Sequence, residues 1–267
     1  MTGIGVGAGL GVLAGRPLSY SPLTLSTDLN SVPAWNELVN FGNFASSEIL
    51  VGDSKSVGVW IKIVFNVSAF IQHIICNYDY GGGGPAIDKG WILGATAADR
   101  LFFLISSGPG DWIRTEFNAA TGLDGTWHHI VGTYGGTGSE ADMTLYCDGV
   151  AAAQTKTSAG VVGDTTSGAQ LSNEASWGGN LTMQGKLCHT TLVDRELTQS
   201  QVEKMSSLGV PIDMEALLDP SEILHWCTYG DGCAFVGANQ YPDLSPLAQH
   251  GIPLNLEVGD IQGDVPP

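Results

Sequence analysis

Residues 126–149 read TWHHIVGTYGGTGSEADMTLYCDG, two runs of alternating side chains that each end in turn chemistry. Trp127, His129 and Val131 alternate with His128 and Ile130, the period of a strand whose two faces differ. Met143, Leu145 and Cys147 alternate in the same way with Thr144 and Tyr146. Asp148-Gly149 follows, a dipeptide that closes two-residue hairpins because both residues tolerate positive φ. The stretch predicts two strands and a tight return through VAAA.

The same period extends outward in both directions. In SVGVWIKIVF (56–65), Val57, Val59, Ile61, Ile63 and Phe65 share one face, with Trp60, Lys62 and Val64 on the other, as in a long central strand. WILGA (91–95) and LFFLIS (101–106) follow a GGGGP loop. Beyond the hairpin, LTMQGKLCHTTLVDREL (181–197) predicts a further strand pair. The period then changes at LTQSQVEKM, where Thr198 and Gln201 form a capping-box pattern that opens a short helix near Thr198–Met205. Short turns are expected near Met214–Leu217.

Bulk properties agree with an all-β chain. The 267 residues include 37 glycines, and only 14% are charged, a composition of many short strands and tight turns. A length of this order fits one large core. Lys+Arg of 10 against Asp+Glu of 27 gives a net charge of −17, which opposes phosphate backbones and anionic membranes. Nucleic acid and membrane are therefore not expected partners. The five cysteines, Cys76, Cys147, Cys188, Cys227 and Cys233, are an odd number without metal-ligand spacing. They read as small buried hydrophobes, with Cys227 and Cys233 flanking a turn that a disulfide would close.

GTWHHIVGTY, then LYCDG, LSN and GGNLTMQGKLCHTTLVDRELTQSQV, resembles laminin-G-like, or concanavalin A-like, jelly-roll domains. The resemblance spans about residues 55 to 208 and implies a two-layered antiparallel sandwich with one short helix. HWCTYGDG, PDLSP and NLEVGDIQGDVPP resemble the closing strand and tail of such domains in bacteriophage structural proteins. Similar domains often start with the Trp-bearing strand, which here comes late, at Trp226. The resemblance implies a permuted chain whose first and last strands pair, with residues 18–267 as a single domain and 209–267 returning to complete it.

Catalytic chemistry is sparse. Glucanases of this fold carry Glu-x-Asp-x-x-Glu on one strand so that two carboxylates flank the scissile bond. The near match here is Glu140-Ala141-Asp142, with Leu145 where the second Glu belongs. There is no Gly-x-Ser-x-Gly elbow, and Cys188 and His189 point to opposite faces if both lie in a strand. His128 and His129, as strand neighbours, cannot converge on one ion and read as packing residues. The expectation is a protein without a catalytic site and without a cofactor. Calcium, which the resemblance allows at one rim of the sandwich, has Asp231 and Asp243 as its nearest acids, although acids beside Gly and Ser also form turns. Cys188 stands where the family commonly has an acid. For sugars, Trp112 in GPGDWIRT and Trp177 in EASWGGN sit in loop-like contexts where an indole can stack on a ring or meet another subunit.

Glycine falls on alternate positions in MTGIGVGAGLGVLAG (1–15). No window supplies the third glycine of a dinucleotide fingerprint, and the run is too short to span a bilayer. Residues 1–17 therefore read as an extended arm that docks on a neighbouring chain through Gly3, Ile4, Gly5, Val6, Gly7, Gly9, Leu10 and Val12. With the phage resemblance, the arm points to a non-catalytic virion surface protein, a capsid decoration or head-fibre or tail component. It would be a homo-oligomer bound to sister subunits or to the major capsid protein. The alternative is a lectin-like module that binds a host surface glycan. A polysaccharide hydrolase ranks third.

Overall fold

The computed structural model describes residues 26–28, 38–43, 45–64, 71–79, 89–96, 98, 100–118, 123, 125–165, 171–172, 183–207, 209, 211–229, 241, 243–254, 261–263 and 266. The arm, Trp177, Asp231 and Cys233 lie outside them.

Two antiparallel sheets pack face to face. The first runs β10 (Val150–Ala151), β9 (Met143–Cys147), β8 (Trp127–Tyr134), β3 (Lys55–Ile63), β13 (Gly185–Val193), β1 (Ser26–Asp28) and β16 (Ile261–Gln262), with β14 (Ile223–Cys227) also paired to β13. The second runs β11 (Gln154–Ala159), β7 (Asp111–Phe117), β6 (Leu101–Gly108), β5 (Lys89–Ala95), β4 (Gln72–Asp79), β12 (Leu171–Ser172), β2 (Leu38–Asn40) and β15 (Ile252–Leu254). Among the described strands the first and last pair, Ser26 opposite Gln262.

Alternation sets the core. Val57, Val59, Ile61 and Ile63 of β3 turn inward and join Ile130 of β8, Leu145 of β9 and Leu187 of β13 against Trp91, Phe103, Ile105 and Ile113 of the second sheet. Each such side chain contributes about 1.5–3 kcal/mol on burial. The outer face of the first sheet is covered in turn. Val131, Tyr146, Val193 and Trp226 pack beneath Val202 and Met205 of α1 (Gln199–Ser206) and beneath Met214 of a 3₁₀ turn over Met214–Ala216. α1 begins at the capping box that the sequence predicts: the Thr198 hydroxyl accepts from the Gln201 N–H, and the Gln201 side chain accepts from the Thr198 N–H. Among the described residues no helix is long and apolar enough to cross a membrane.

The Asp148-Gly149 hairpin forms as expected, with φ of 50° and 81° at its two turn residues. Two expectations change. Within 181–197 the described residues form one nine-residue strand, β13, because no turn residue interrupts GKLCHTTLV. Irregularity enters instead as a bulge between Cys188 and Thr190, with His189 at a φ of 51°. The bulge breaks the strict alternation that assigned Cys188 and His189 to opposite faces. Trp112, in turn, lies not in a loop but in β7. There Trp112, Arg114 and Glu116 are half-buried while Ile113, Thr115 and Phe117 are buried, a period of two that begins immediately after the Pro109-Gly110 turn.

Candidate functional site: a groove on the outer face of the second sheet

Strand register builds a depression on the face of the second sheet opposite the core. Tyr78 of β4 pairs with Gly90 of β5, Gly90 with Ser106 of β6, and Ser106 with Trp112 of β7. One cross-strand row therefore carries two small residues between two aromatic ones. Neighbouring strands lie about 4.8 Å apart, so the aromatic ends of the row stand roughly 14 Å from each other. The next row places Leu104 beside Arg114. The resulting cavity of about 420 Å³ is lined by Tyr78, Leu104, Ser106, Trp112, Arg114 and the turn at 108–110.

Arg114 is held in place. Its guanidinium lies 4.5 Å from the centroid of the Phe102 ring and pairs with Glu116, which also pairs with Arg100 at 2.7 Å. Burial lowers the Arg114 pKa, and the Glu116 carboxylate opposes that shift. Beneath it, Phe102, Ile92, Cys76 and Tyr78 form a buried apolar cluster with Leu104 packed against it. The groove thus joins an indole and a phenol to a fixed cation with a planar donor fork. Such a surface can stack a ring and hydrogen-bond the groups around its edge.

The other candidates fall elsewhere. Glu140 and Asp142 sit in a 3₁₀ turn ahead of β9, where Asp142 accepts from the Thr137 N–H at 3.0 Å, and Leu145 is buried in the core. His128 and His129 diverge. His129 is buried, stacked on Trp60 with ring centroids 5.1 Å apart, and burial pulls its pKa down to about 3. His128 stays half-buried at the rim, 2.7 Å from Asp148. Asp243, the rim acid among the described residues, is buried, and both of its oxygens already accept protein hydrogen bonds. Cys188 is fully buried in β13.

A family profile described as the concanavalin A-like lectin/glucanases superfamily matches residues 39–203. The chain belongs to this superfamily. A candidate carbohydrate binding protein from Bacteroides ovatus shares the superfamily fold with a TM-score of 0.58 at 13% identity, over 91% of this chain and 60% of that protein. The CBM40 of a Ruminococcus gnavus IT-sialidase, solved with α2,3-sialyllactose, gives a TM-score of 0.49 at 11% identity, over 70% of this chain and 99% of that one. A heptameric SAP-like pentraxin from Limulus polyphemus gives 0.46 at 13% identity, over 68% and 80%. At 13% identity the likeness to the Bacteroides ovatus protein is one of fold. No curated protein matches the chain in sequence.

The sequence marks Trp112 but not its groove partners. Tyr78, Leu104 and Arg114 come from three separate strands, and only the register unites them. One signal was available: in DWIRTEF, period two puts Trp112 and Arg114 on the same face.

Proposed function

We propose that the protein is a non-catalytic carbohydrate-binding module and that the groove beside Trp112 holds the sugar. The observation that carries this reading is the row Tyr78, Gly90, Ser106 and Trp112, in which two aromatic side chains flank a floor of small residues. An apolar sugar face stacks on an indole, while Arg114 donates to hydroxyl or carboxylate oxygens at the ring edge. The fold supports the reading as analogy only, since one fold hosts many functions.

The test is a glycan array probed with the intact protein, with calcium present, beside Trp112→Ala. Binding that is lost in the variant at an unchanged melting temperature supports the proposal. Uniform absence of binding to the array, or undiminished binding by Trp112→Ala, refutes it.

Cleavage is not part of this reading, because the Glu140 and Asp142 turn lacks the second glutamate that retaining hydrolysis uses. Product release that disappears on double replacement of Glu140 and Asp142 would reverse that statement. Display of the module on a virion surface is a separate proposal, motivated by the glycine-alternating arm and by the phage-like tail motifs.

A further inference from the structure

Three side chains outside the groove meet at one rim of the sandwich. His128 lies near the start of β8, Cys147 ends β9, and Asp148 takes the first turn position of the β9–β10 hairpin. Ile130 is paired with Cys147, and His128, two residues from Ile130, shares its face. The hairpin then folds Asp148 back. Its N–H donates to the His129 carbonyl at 2.8 Å, and its Oδ1 accepts from the His129 N–H at 2.9 Å. Oδ1 is thereby committed to the hairpin, and Oδ2 faces the imidazole.

The three donor atoms are close enough to share an ion. His128 Nδ1 lies 2.7 Å from Asp148 Oδ2, Cys147 Sγ lies 3.7 Å from Oδ2, and Sγ lies 4.0 Å from Nδ1. A tetrahedral ion with bonds of about 2.0–2.3 Å spaces its ligand atoms roughly 3–4 Å apart, so only the nitrogen–oxygen contact has to widen. All three atoms fall within 4.8 Å of one another.

The ring is already oriented for this role. Nε2 lies 2.7 Å from the Thr126 hydroxyl oxygen, and that hydroxyl lies 3.4 Å from the Leu123 carbonyl. In the metal-free chain Nδ1–H donates to Oδ2 and Nε2 accepts from the Thr126 hydroxyl. When an ion takes the Nδ1 lone pair, that proton moves to Nε2 by exchange with solvent, and the Thr126 oxygen, its own proton turned to Leu123, accepts Nε2–H. Fixing one ring nitrogen so that the other ligates is how a metal-binding histidine is held. His128 and Cys147 are half-buried and Asp148 is exposed, which leaves a fourth position open to solvent.

We propose that His128 Nδ1, Cys147 Sγ and Asp148 Oδ2 form a three-ligand site for a borderline divalent transition metal, Zn²⁺ foremost. A nitrogen, sulfur and oxygen set suits Zn²⁺ or Co²⁺, whereas Ca²⁺ and Mg²⁺ take oxygen ligands. On binding, the Cys147 S–H bond gives way to a sulfur–metal bond and the proton passes to solvent. The ion then clamps the start of β8 to the β9–β10 turn. The site is independent of the glycan groove, which lies on the other sheet.

Titrating the intact chain with Co²⁺ tests the site. One equivalent should raise a sulfur-to-metal charge-transfer band together with the visible d–d bands of a tetrahedral ion, and Zn²⁺ should displace both. Cys147→Ser and His128→Gln should each abolish the charge-transfer band or weaken binding at least tenfold, with wild-type circular dichroism. Zn²⁺ should also raise the wild-type melting temperature, reversibly with a chelator. X-ray absorption on the wild-type Zn²⁺ form needs no variant and should show one sulfur neighbour with nitrogen and oxygen. No band in the wild type, a band that survives in folded Cys147→Ser, or a zinc shell without sulfur would each overturn the site.

Discussion

The carboxylate of Asp243 accepts a hydrogen bond from the backbone N–H of Trp226 at 2.9 Å. The same oxygen accepts from the Ser245 N–H at 3.0 Å, while Oδ2 takes the Ser245 hydroxyl at 2.8 Å and the Gln249 N–H at 2.9 Å. One buried carboxylate therefore clips the 243–249 segment onto β14. Burial works against its charge, but contact with His225 and these bonds outweigh burial and hold its pKa down to about 2. Asp243→Ala leaves three backbone N–H groups without their acceptor and should cost about 2–4 kcal/mol, read as a lower melting temperature. Because the folded-state value lies below the ordinary 3.8, this contribution is present above about pH 4 and is lost as pH falls toward 2. The acid limb of a wild-type stability profile should flatten in the variant over that window.

Three buried histidines act higher in pH. Burial pulls His73 and His189 down to about 4 and His129 to about 3. Their folded-state values lie below the ordinary 6.5, so the unfolded chain binds more protons between. Stability is full above about pH 6.5 and falls as pH drops through that value. By pH 5 each histidine should have removed about 2 kcal/mol. Urea midpoints measured from pH 7.5 to pH 5 check this. A flat profile in wild type, or an unchanged one in a folded His129→Gln variant, would count against it.

Backbone crowding makes Gly90 irreplaceable. It sits in the groove row at a φ of +121°, and a Cβ there would stand 1.9 Å from the Asn77 carbonyl oxygen. Gly90→Ala should cost about 3 kcal/mol or more, since the clash is with neighbouring backbone rather than a movable side chain. An equilibrium denaturation curve like that of wild type would show that β4 and β5 can separate without penalty.

How much of this was readable in the chain follows from where the information sits. β3, β8 and β9 declare themselves because their apolar residues recur at every second position. The Asp148-Gly149 turn does so because its dipeptide suits positive φ. β11 reads QTKTSA, a largely exposed polar edge strand that leaves no apolar trace, and β12 comprises two of the described residues, Leu171 and Ser172. The bulge at His189 places a non-glycine residue at positive φ, which local propensity disfavours and only packing enforces. The groove and the His128–Cys147–Asp148 cluster depend on register across strands. Single-strand periodicity shows that His128 and His129 diverge but not which partner each one meets.

The arm at residues 1–17 lies outside the described residues, and its role is tested by deletion. Removing residues 1–15 should leave the sandwich folded, with its melting temperature nearly unchanged, while abolishing incorporation into any larger assembly. Replacing Gly5, Gly7 and Gly9 with Val should do the same through steric clash on the glycine side, which the docking proposal sets against a neighbour's backbone. A truncated protein that assembles normally, or that unfolds, would remove the tether reading.

Arg114 separates recognition from mere support of the groove. Its guanidinium is planar, packs over Phe102 and is braced by Glu116, so it reaches the groove with little freedom left to lose on binding. Lysine keeps the charge but offers a flexible point donor in place of a fork. Arg114→Lys should therefore weaken glycan affinity about tenfold, close to 1.4 kcal/mol, and Arg114→Met by at least as much. The melting temperature should move little in Arg114→Lys, because Phe102 is already buried in its own cluster. Trp112→Phe should retain part of the affinity that Trp112→Ala loses, since a smaller ring still stacks. Isothermal titration with a glycan selected from the array reads all four variants. If Arg114→Lys binds like wild type while Trp112→Ala does not, the indole acts without the guanidinium and the sugar's polar edge faces elsewhere in the groove.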